Sequence, residues 1–129
     1  MFLMDYDADQ AARNIYFDYL ADRFNNDPAE GRRRAGQFES GHPVPQDLAA
    51  ITACGDAYEK NAGNGRALDA ARDAFYAELD REDVKKKEVD PKRYSVDPEY
   101  HGRMNALIDD KVEERRQDRQ NAREKRTVP

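Results

Sequence analysis

Residues 45–82 read PQDLAAITACGDAYEKNAGNGRALDAARDAFYAELDRE, a pattern that predicts two helices joined by a turn. Apolar residues recur in both halves at the three- and four-residue spacing of a helix, not the alternation of a strand. They are Leu48, Ile51 and Tyr58 in the first half and Leu68, Ala71, Phe75 and Leu79 in the second. The intervening residues 61–65 read NAGNG, and Asn and Gly tolerate the left-handed dihedrals that reverse a chain. Because short connections favour antiparallel neighbours, we predict a central helical hairpin over residues 45–82. The glycine at position 55 is expected to let another helix approach closely.

Capping signals predict further helices on both sides of the hairpin. An aspartate at position 7 or 9 is expected to cap a first helix that ends near Phe24. Asp27 and Asp97 are each followed by proline, which is typical of a helix start. The aspartate accepts a hydrogen bond from the first turn, and proline suits the first helical position. The helix that begins after Asp97 is expected to continue to about Arg126.

Two segments are expected to lie outside the packed core. Residues 84–96 lack an apolar stripe, and Pro91 is expected to stop any helix there, so we interpret this segment as a solvated connector. After Val112 the apolar residues of the last helix nearly cease, so residues 113–129 are interpreted as a charged helical tail that either projects and frays or lies on a partner. The predicted fold is all-α: one small helical domain of four to five helices over residues 1–112, with this C-terminal extension.

Composition limits the chain to a small domain with a thin core. The chain has 129 residues, a net charge of −5 and twelve Phe and Tyr residues, and charged residues make up 38% of it. One domain is the default at this length. The single cysteine, Cys54, excludes an internal disulfide. No run reaches the length of a membrane span. The opening MFLMDYD has no basic region before its apolar residues, so a secretory signal is not indicated and we expect a cytoplasmic protein.

No stretch predicts a metal site convincingly. Residues 5–9 follow the Asp-x-Asp-x-Asp opening of an EF-hand loop, and the resemblance ends there. The loop needs Gly at its sixth position and a bidentate Glu at its twelfth, where this chain has Gln10 and Tyr16. A structural zinc site takes four Cys or His ligands, whereas this chain has one cysteine and two histidines. We therefore expect no metal and no cofactor.

No stretch predicts catalysis either. Ser40 and His42 lie two residues apart in an expected loop, and nothing places them as a nucleophile and its base. Residues 63–66 read GNGR before a helix, but they lack the preceding strand and the Gly-Lys-Ser/Thr of a phosphate-binding loop. We therefore expect a protein that is not an enzyme.

Surplus aromatic residues and segregated charges suggest binding surfaces. The first helix carries more rings than one buried stripe needs, so an interface is predicted at Tyr16, Phe17 and Tyr19. The last helix carries an acidic group followed by a basic one. The acidic group is a second candidate for a protein interface and comprises Asp109, Asp110, Glu113 and Glu114. The basic group is a candidate for contact with an anion or nucleic acid and comprises Arg115, Arg116, Arg119, Arg123 and Arg126.

These features favour a macromolecule-binding role. The main hypothesis is a small acidic protein–protein interaction module or inhibitor, for example a phage or mobile-element protein that blocks a host complex such as CRISPR–Cas. One alternative is a nucleic-acid-associated regulator that uses the basic C-terminal helix. A further alternative is a structural homodimer in which two thin cores share their aromatic residues. A protein partner is thus expected, with nucleic acid possible, no membrane contact, and a monomer or homodimer as the assembly.

Overall fold

The computed structural model describes residues 7–127, with side chains described through Lys125. Within these residues the chain forms six α-helices and no strand, which confirms the predicted all-α class. They are α1 (Ala8–Arg23), α2 (Pro28–Glu39), α3 (Pro45–Lys60), α4 (Ala67–Glu88), α5 (Pro91–Val96) and α6 (Pro98–Thr127). The apolar opening of the chain, Asp5 of the acidic run and the side chain of Arg126 lie outside the described residues.

The predicted capping signals act as expected. Asp7 accepts a hydrogen bond from the backbone N–H of Gln10 at 2.9 Å and so begins α1. Asp27 accepts one from the N–H of Glu30 at 3.3 Å, with proline at the first position of α2. Asp97 accepts two, from the backbone of Glu99 and Tyr100 at 3.1 and 3.2 Å. Each carboxylate thus satisfies amide groups that a helix end leaves without partners.

The solvated connector predicted over residues 84–96 is wrong. Helix α4 continues to Glu88, and Asp90 begins the additional helix α5 by accepting a hydrogen bond from the N–H of Lys92 at 3.1 Å. Asp90-Pro91 is a third copy of the aspartate–proline start signal, and the sequence interpretation used its proline only as a stop. This misreading accounts for a sixth helix where four to five were predicted.

The chain divides into two compact units, Met1–Phe75 and Tyr76–Pro129, and α4 contributes residues to both. Each unit is described by itself below. The predicted boundary between a helical domain and a tail at Val112 stays a prediction, and α6 passes through that residue without a break.

The core of unit 1 forms where α1 packs against α3 and the first half of α4. The Tyr16 ring lies 6.2 Å from the ring of Phe75, which is fully buried. The buried side chains are Ala11, Ala12, Ile15, Tyr16, Leu20, Val44, Asp47, Ala50, Cys54, Ala71 and Phe75. The predicted stripe is wrong at Leu48 and Leu68, which are 49% and 40% exposed. Helix α3 instead buries the face that holds Asp47, which has hydrogen-bond partners in α1 and α2. The packing of residues 45–82 as a hairpin remains a prediction.

The predicted close approach at Gly55 is also wrong, because no atom of another helix among residues 7–127 lies within 4 Å of where its Cβ would stand. Glycine in a helix costs about 1 kcal/mol relative to alanine. We therefore expect Gly55→Ala to raise the free energy of unfolding by about 1 kcal/mol, measured by urea denaturation. Gly65→Ala is the contrasting variant. Gly65 has a φ of 75°, so the same change should lower the free energy of unfolding by about 1 kcal/mol. Equal effects would contradict this account.

Unit 2 is held by a small apolar core bordered by ion pairs. Val84 of α4 packs with Ile108 and Val112 of α6, and Ala77 and Val89 pack against them. Residues early in this part of α4 pair with residues late in α6, so the two segments run antiparallel. The pairs include Asp80 with Arg119 at 2.6 Å, Asp83 with Arg115 at 2.8 Å and Glu88 with Lys111 at 2.8 Å.

Contacts between α6 and α4 continue for about two turns beyond Val112, through ion pairs. Arg115 and Arg119 both reach α4, and the Arg119 guanidinium also lies 5.3 Å from the centre of the Tyr76 ring. Long basic side chains bury their aliphatic stems while their charged ends find partners. Within the described residues, no helix has both the length and the apolarity to cross a bilayer.

Candidate functional site

An apolar groove runs between α1 and α2 on the surface of unit 1. Its volume is about 270 Å³. Its lining consists of Phe17, Leu20, Ala21, Phe24, Asn25, Pro28, Gly31, Arg32 and Ala35. Apart from Asn25 and Arg32, these residues are apolar or lack a side chain. An apolar depression rimmed by polar residues is typical of a binding surface for protein or ligand.

Local sequence brings the two walls of the groove together. The N–H of Asp27 donates to the carbonyl of Phe24 at 2.9 Å, so the chain turns tightly at the end of α1. Asp27 and Pro28 then begin α2 at once. Gly31 is the close-approach point, because a Cβ there would lie 3.3 Å from the Cβ of Phe24 and 3.7 Å from the carbonyl oxygen of Leu20. The absence of a side chain at Gly31 thus lets α2 lie directly against α1.

An ion pair joins the two helices near the Phe17 end of the groove. Arg13 of α1 and Glu39 of α2 are joined by contacts of 2.6 and 2.8 Å. The same guanidinium lies 4.6 Å from the centre of the Phe17 ring, and the Phe38 ring meets Phe17 edge-on at 5.7 Å. These contacts hold the Phe17 ring from two directions, although both charged side chains are almost half exposed.

A buried polar network fixes α2 on α1 and α3. Asp47 of α3 is 1% exposed and accepts a hydrogen bond from the Tyr16 hydroxyl at 2.5 Å. It also accepts two from Arg34 of α2, at 3.0 and 3.2 Å. Arg34 in turn donates to Glu30 at 2.8 Å and lies 4.7 Å from the centre of the Phe24 ring. The groove is therefore supported from behind by a network whose members lie on three helices.

The free energy of unfolding should fall at high pH, and the Tyr16 hydroxyl of this network is the cause. Burial, and then the hydrogen bond to Asp47, raise the pKa of the Tyr16 hydroxyl far above 10. Above pH 10 the unfolded chain releases this proton and the folded chain keeps it, so stability falls by about 1.4 kcal/mol per pH unit. At pH 7 we expect Tyr16→Phe to cost about 1 to 2 kcal/mol, because Asp47 loses a donor.

The two effects together predict that the difference in free energy of unfolding between wild type and Tyr16→Phe shrinks above pH 10. Urea titrations at pH 7 and pH 11 measure it. Other titrating groups are shared by both proteins and cancel in the comparison. A difference that stays constant with pH would contradict the role assigned to this hydroxyl.

Three consecutive arginines of α2 have different roles. Arg33 and Arg34 both donate to Glu30 at 2.8 Å, and these hydrogen bonds, with Arg33 first, lower the pKa of Glu30 to about 2. Arg32 is exposed, lines the groove, and makes no ion pair or hydrogen bond with any residue in the described range 7–127. It is thus the cation that α2 leaves available at the groove.

The aromatic residues proposed from the sequence fall into different environments. Tyr16 is buried in the network, so its ring is not at the surface. Phe17 is partly exposed and forms one end of the groove. Tyr19 is partly exposed, and its ring meets those of Phe24 and Phe75 at 6.5 and 5.2 Å.

The other half of the groove was not predicted from the sequence. Leu20, Ala21 and Phe24 continue the helical spacing that begins at Phe17, and the start signal at Asp27 placed a second helix immediately after them. The apolar spacing and the nearby helix start together could have predicted a groove between two helices. They gave no indication of which face of α2 would meet α1.

Some of the charged side chains of α6 form ion pairs within unit 2, and others are exposed. Arg81 reaches Asp109 at 2.7 Å, and Arg116 pairs with Glu113 at 2.7 Å, which lowers the pKa of Glu113 to about 2. Asp110 and Glu114 are exposed. Arg115 and Arg119 pair with α4, as described above, Arg123 is exposed, and the side chain of Arg126 lies outside the described residues.

Within the part of the chain that the structure describes, no three His, Cys, Asp or Glu side chains are grouped to hold a metal ion. No protein-family model matches the chain, and neither a curated protein nor a solved structure matches it at a significant level. The groove is accordingly interpreted from its own geometry.

Proposed function

We propose that this chain is a non-catalytic cytoplasmic protein that binds a segment of another protein in the groove between α1 and α2. The observation that carries the proposal is the groove itself, which presents a continuous apolar surface while a buried network supports its shape. A preformed apolar groove loses little conformational entropy on binding. Such a protein acts as an adaptor or an inhibitor, since occupying a partner's segment blocks its other contacts.

Charge distribution supports a protein partner over nucleic acid. Residues 1–75 hold thirteen acidic and eight basic side chains, a net charge of −5, and residues 76–129 hold fourteen of each. Phosphates would be repelled by the first unit and find no net attraction to the second. Arg115 and Arg119, which the nucleic-acid alternative needs, are engaged with Asp80 and Asp83.

The inhibitor hypothesis in its specific form, a phage or mobile-element protein that blocks a host complex such as CRISPR–Cas, fits within this proposal. An acidic unit competes well for a basic surface that otherwise binds nucleic acid. The groove then supplies the apolar contact. The homodimer alternative predicts a second copy in the groove, and sedimentation at high concentration distinguishes it from a monomer.

The proposal is tested by affinity capture from a lysate of the native host, with and without nuclease, for wild type and two variants. Ala21→Arg places a long charged side chain in the groove. Ala49→Arg is the matched control, because Ala49 is an exposed residue of α3 outside the groove. Arginine and alanine have similar helix propensities, so both variants should keep the fold, which circular dichroism checks.

We expect a protein that survives nuclease and is captured by wild type and Ala49→Arg but not by Ala21→Arg. Equal capture by all three would contradict binding in the groove. For the nucleic-acid alternative, Arg123→Glu is a better variant than truncation after Val112, because truncation also removes Arg115 and Arg119 from their α4 partners. Capture that depends on nucleic acid and is lost in Arg123→Glu would favour that alternative instead.

A further inference from the structure

We propose that the groove takes one turn-and-a-half of an amphipathic helix from the partner protein, with two large apolar residues three or four positions apart and an acidic residue that pairs with Arg32. This inference rests on the proposed function and specifies the chemistry of the segment bound. It follows from the size of the groove, from the hydrogen-bonding capacity of its lining, and from the charge of Arg32, the cation among the lining residues.

The dimensions of the groove match two apolar side chains. From Phe17 to the C-cap residue Phe24 the groove follows α1 for a rise of about 10 Å. Helical residues three or four apart lie about 5 to 6 Å from each other, so two such anchors fit along this length. A cavity of about 150 Å³ holds one benzene molecule. The volume of about 270 Å³ therefore suits about two ring-sized groups.

The lining favours a helix over an extended segment. A strand lying in the groove would bring its own N–H and C=O groups against a surface that is almost wholly apolar, where only Asn25 and Arg32 offer polar side chains. Buried backbone groups without partners are costly. A helix satisfies its backbone internally and presents only side chains, which is the usual way an apolar groove binds a peptide.

Arg32 determines the charge of the segment. Its neighbours Arg33 and Arg34 are held by Glu30, whereas Arg32 has no partner within residues 7–127 and stands at the groove. A carboxylate on the bound helix would give it a partner in a partly desolvated position, where charge-assisted hydrogen bonds are strongest.

The α1 side of the groove carries negatively charged side chains. Asp18 and Asp22 are exposed on α1, one turn apart and adjacent in sequence to the lining residues Phe17 and Ala21. An acidic residue on the partner is therefore attracted on the α2 side and repelled on the α1 side. This asymmetry fixes which way the helix faces and gives specificity beyond apolar burial.

The test is a selection from a random library of displayed 16-residue peptides against the full chain and three variants. Arg32→Glu reverses the charge at the groove. Arg66→Glu is its matched control, since Arg66 is exposed in the loop before α4 and lies outside the groove lining. Ala21→Arg blocks the groove itself. Peptides enriched on wild type are then synthesised, and their dissociation constants are measured by fluorescence anisotropy.

We expect wild type and Arg66→Glu to enrich peptides with apolar residues three or four apart and an Asp or Glu at a fixed offset. Arg32→Glu should bind those peptides at least tenfold more weakly and should enrich Lys or Arg at the same offset. Enriched peptides whose apolar residues alternate with polar ones would show that the groove binds an extended segment, which would overturn the proposed helix. Enriched peptides that lack an acidic position and bind Arg32→Glu as tightly as wild type would overturn the pairing with Arg32. A selection that enriches no peptide would also overturn the proposal.

These failures differ from failure of the proposed function. If Ala21→Arg abolishes peptide binding and Arg32→Glu leaves the dissociation constant unchanged, the groove remains the binding site and only the proposed acidic contact is wrong. If enriched peptides bind Ala21→Arg as tightly as wild type, they do not use the groove, and the proposed function is contradicted as well.

Discussion

Arg34→Ala is expected to lower the free energy of unfolding by about 3 kcal/mol, because it removes a cation from a buried carboxylate. Asp47 is 1% exposed and has two described partners, the Tyr16 hydroxyl and the Arg34 guanidinium. Removing one member of a buried ion pair leaves an uncompensated charge and typically costs about 3 to 5 kcal/mol. The Arg34 side chain is 15% exposed, so some water reaches it and the lower end of that range applies. Urea denaturation followed by circular dichroism measures the change.

Arg33→Ala is the matched control for this prediction. It removes the same type of side chain from the same helix, but Arg33 is 53% exposed and bonded to Glu30 at the surface. Exposed ion pairs contribute about 0 to 1 kcal/mol. The double variant Arg34→Leu with Asp47→Leu should recover part of the stability lost in Arg34→Ala, since no buried charge remains, while the buried Tyr16 hydroxyl loses its acceptor. Equal losses for Arg33→Ala and Arg34→Ala would show that the network is not what stabilises this region.

Ile108→Ala is expected to lower the free energy of unfolding by about 3 kcal/mol. Ile108 is fully buried and packs with Val84 and Val112 in the apolar core of unit 2. Truncating a buried isoleucine to alanine costs about 2 to 5 kcal/mol, from lost burial and from the cavity left behind. Urea denaturation followed by far-ultraviolet circular dichroism measures the change.

Val96→Ala is the control for the unit 2 core. Val96 is 79% exposed, so removing its methyl groups should change the free energy of unfolding by less than about 0.5 kcal/mol. If Ile108→Ala cost no more than Val96→Ala, the ion pairs between α4 and α6 and not the apolar core would hold this unit. Measurement in 1 M salt would then show the loss directly, because salt screens exposed pairs.

Local signals in the sequence were sufficient to predict three of the helix starts. Asp7, Asp27 and Asp97 each accept hydrogen bonds at the helix beginnings that the sequence indicated. A capping aspartate bonds to a backbone N–H within three residues of itself, so it can be predicted from the local sequence. The same signal at Asp90 was present but was outweighed by the weak apolar pattern around it.

Long-range pairing explains what the sequence did not show. Asp47 looks like a surface residue, because its partners Tyr16 and Arg34 lie 31 and 13 residues away. Burying it turns α3 by one residue relative to the predicted stripe and leaves Leu48 exposed. The segregated charges of α6 were similarly read as surfaces for a partner. Arg119 pairs with a residue 39 positions earlier, so part of that segregation serves internal pairing.

The buried thiol of Cys54 gives the protein an internal reporter of its own motions. Its side chain is 0% exposed, and burial raises its pKa to about 11. At neutral pH almost none of it is thiolate, the form that reacts with alkylating reagents. Labelling therefore requires that unit 1 open and admit both water and reagent. The rate of alkylation, compared with that of a free thiol, measures how often α3 leaves its neighbours. No fluorophore or added cysteine is needed, and adding a peptide that occupies the groove should slow the reaction in proportion to its occupancy.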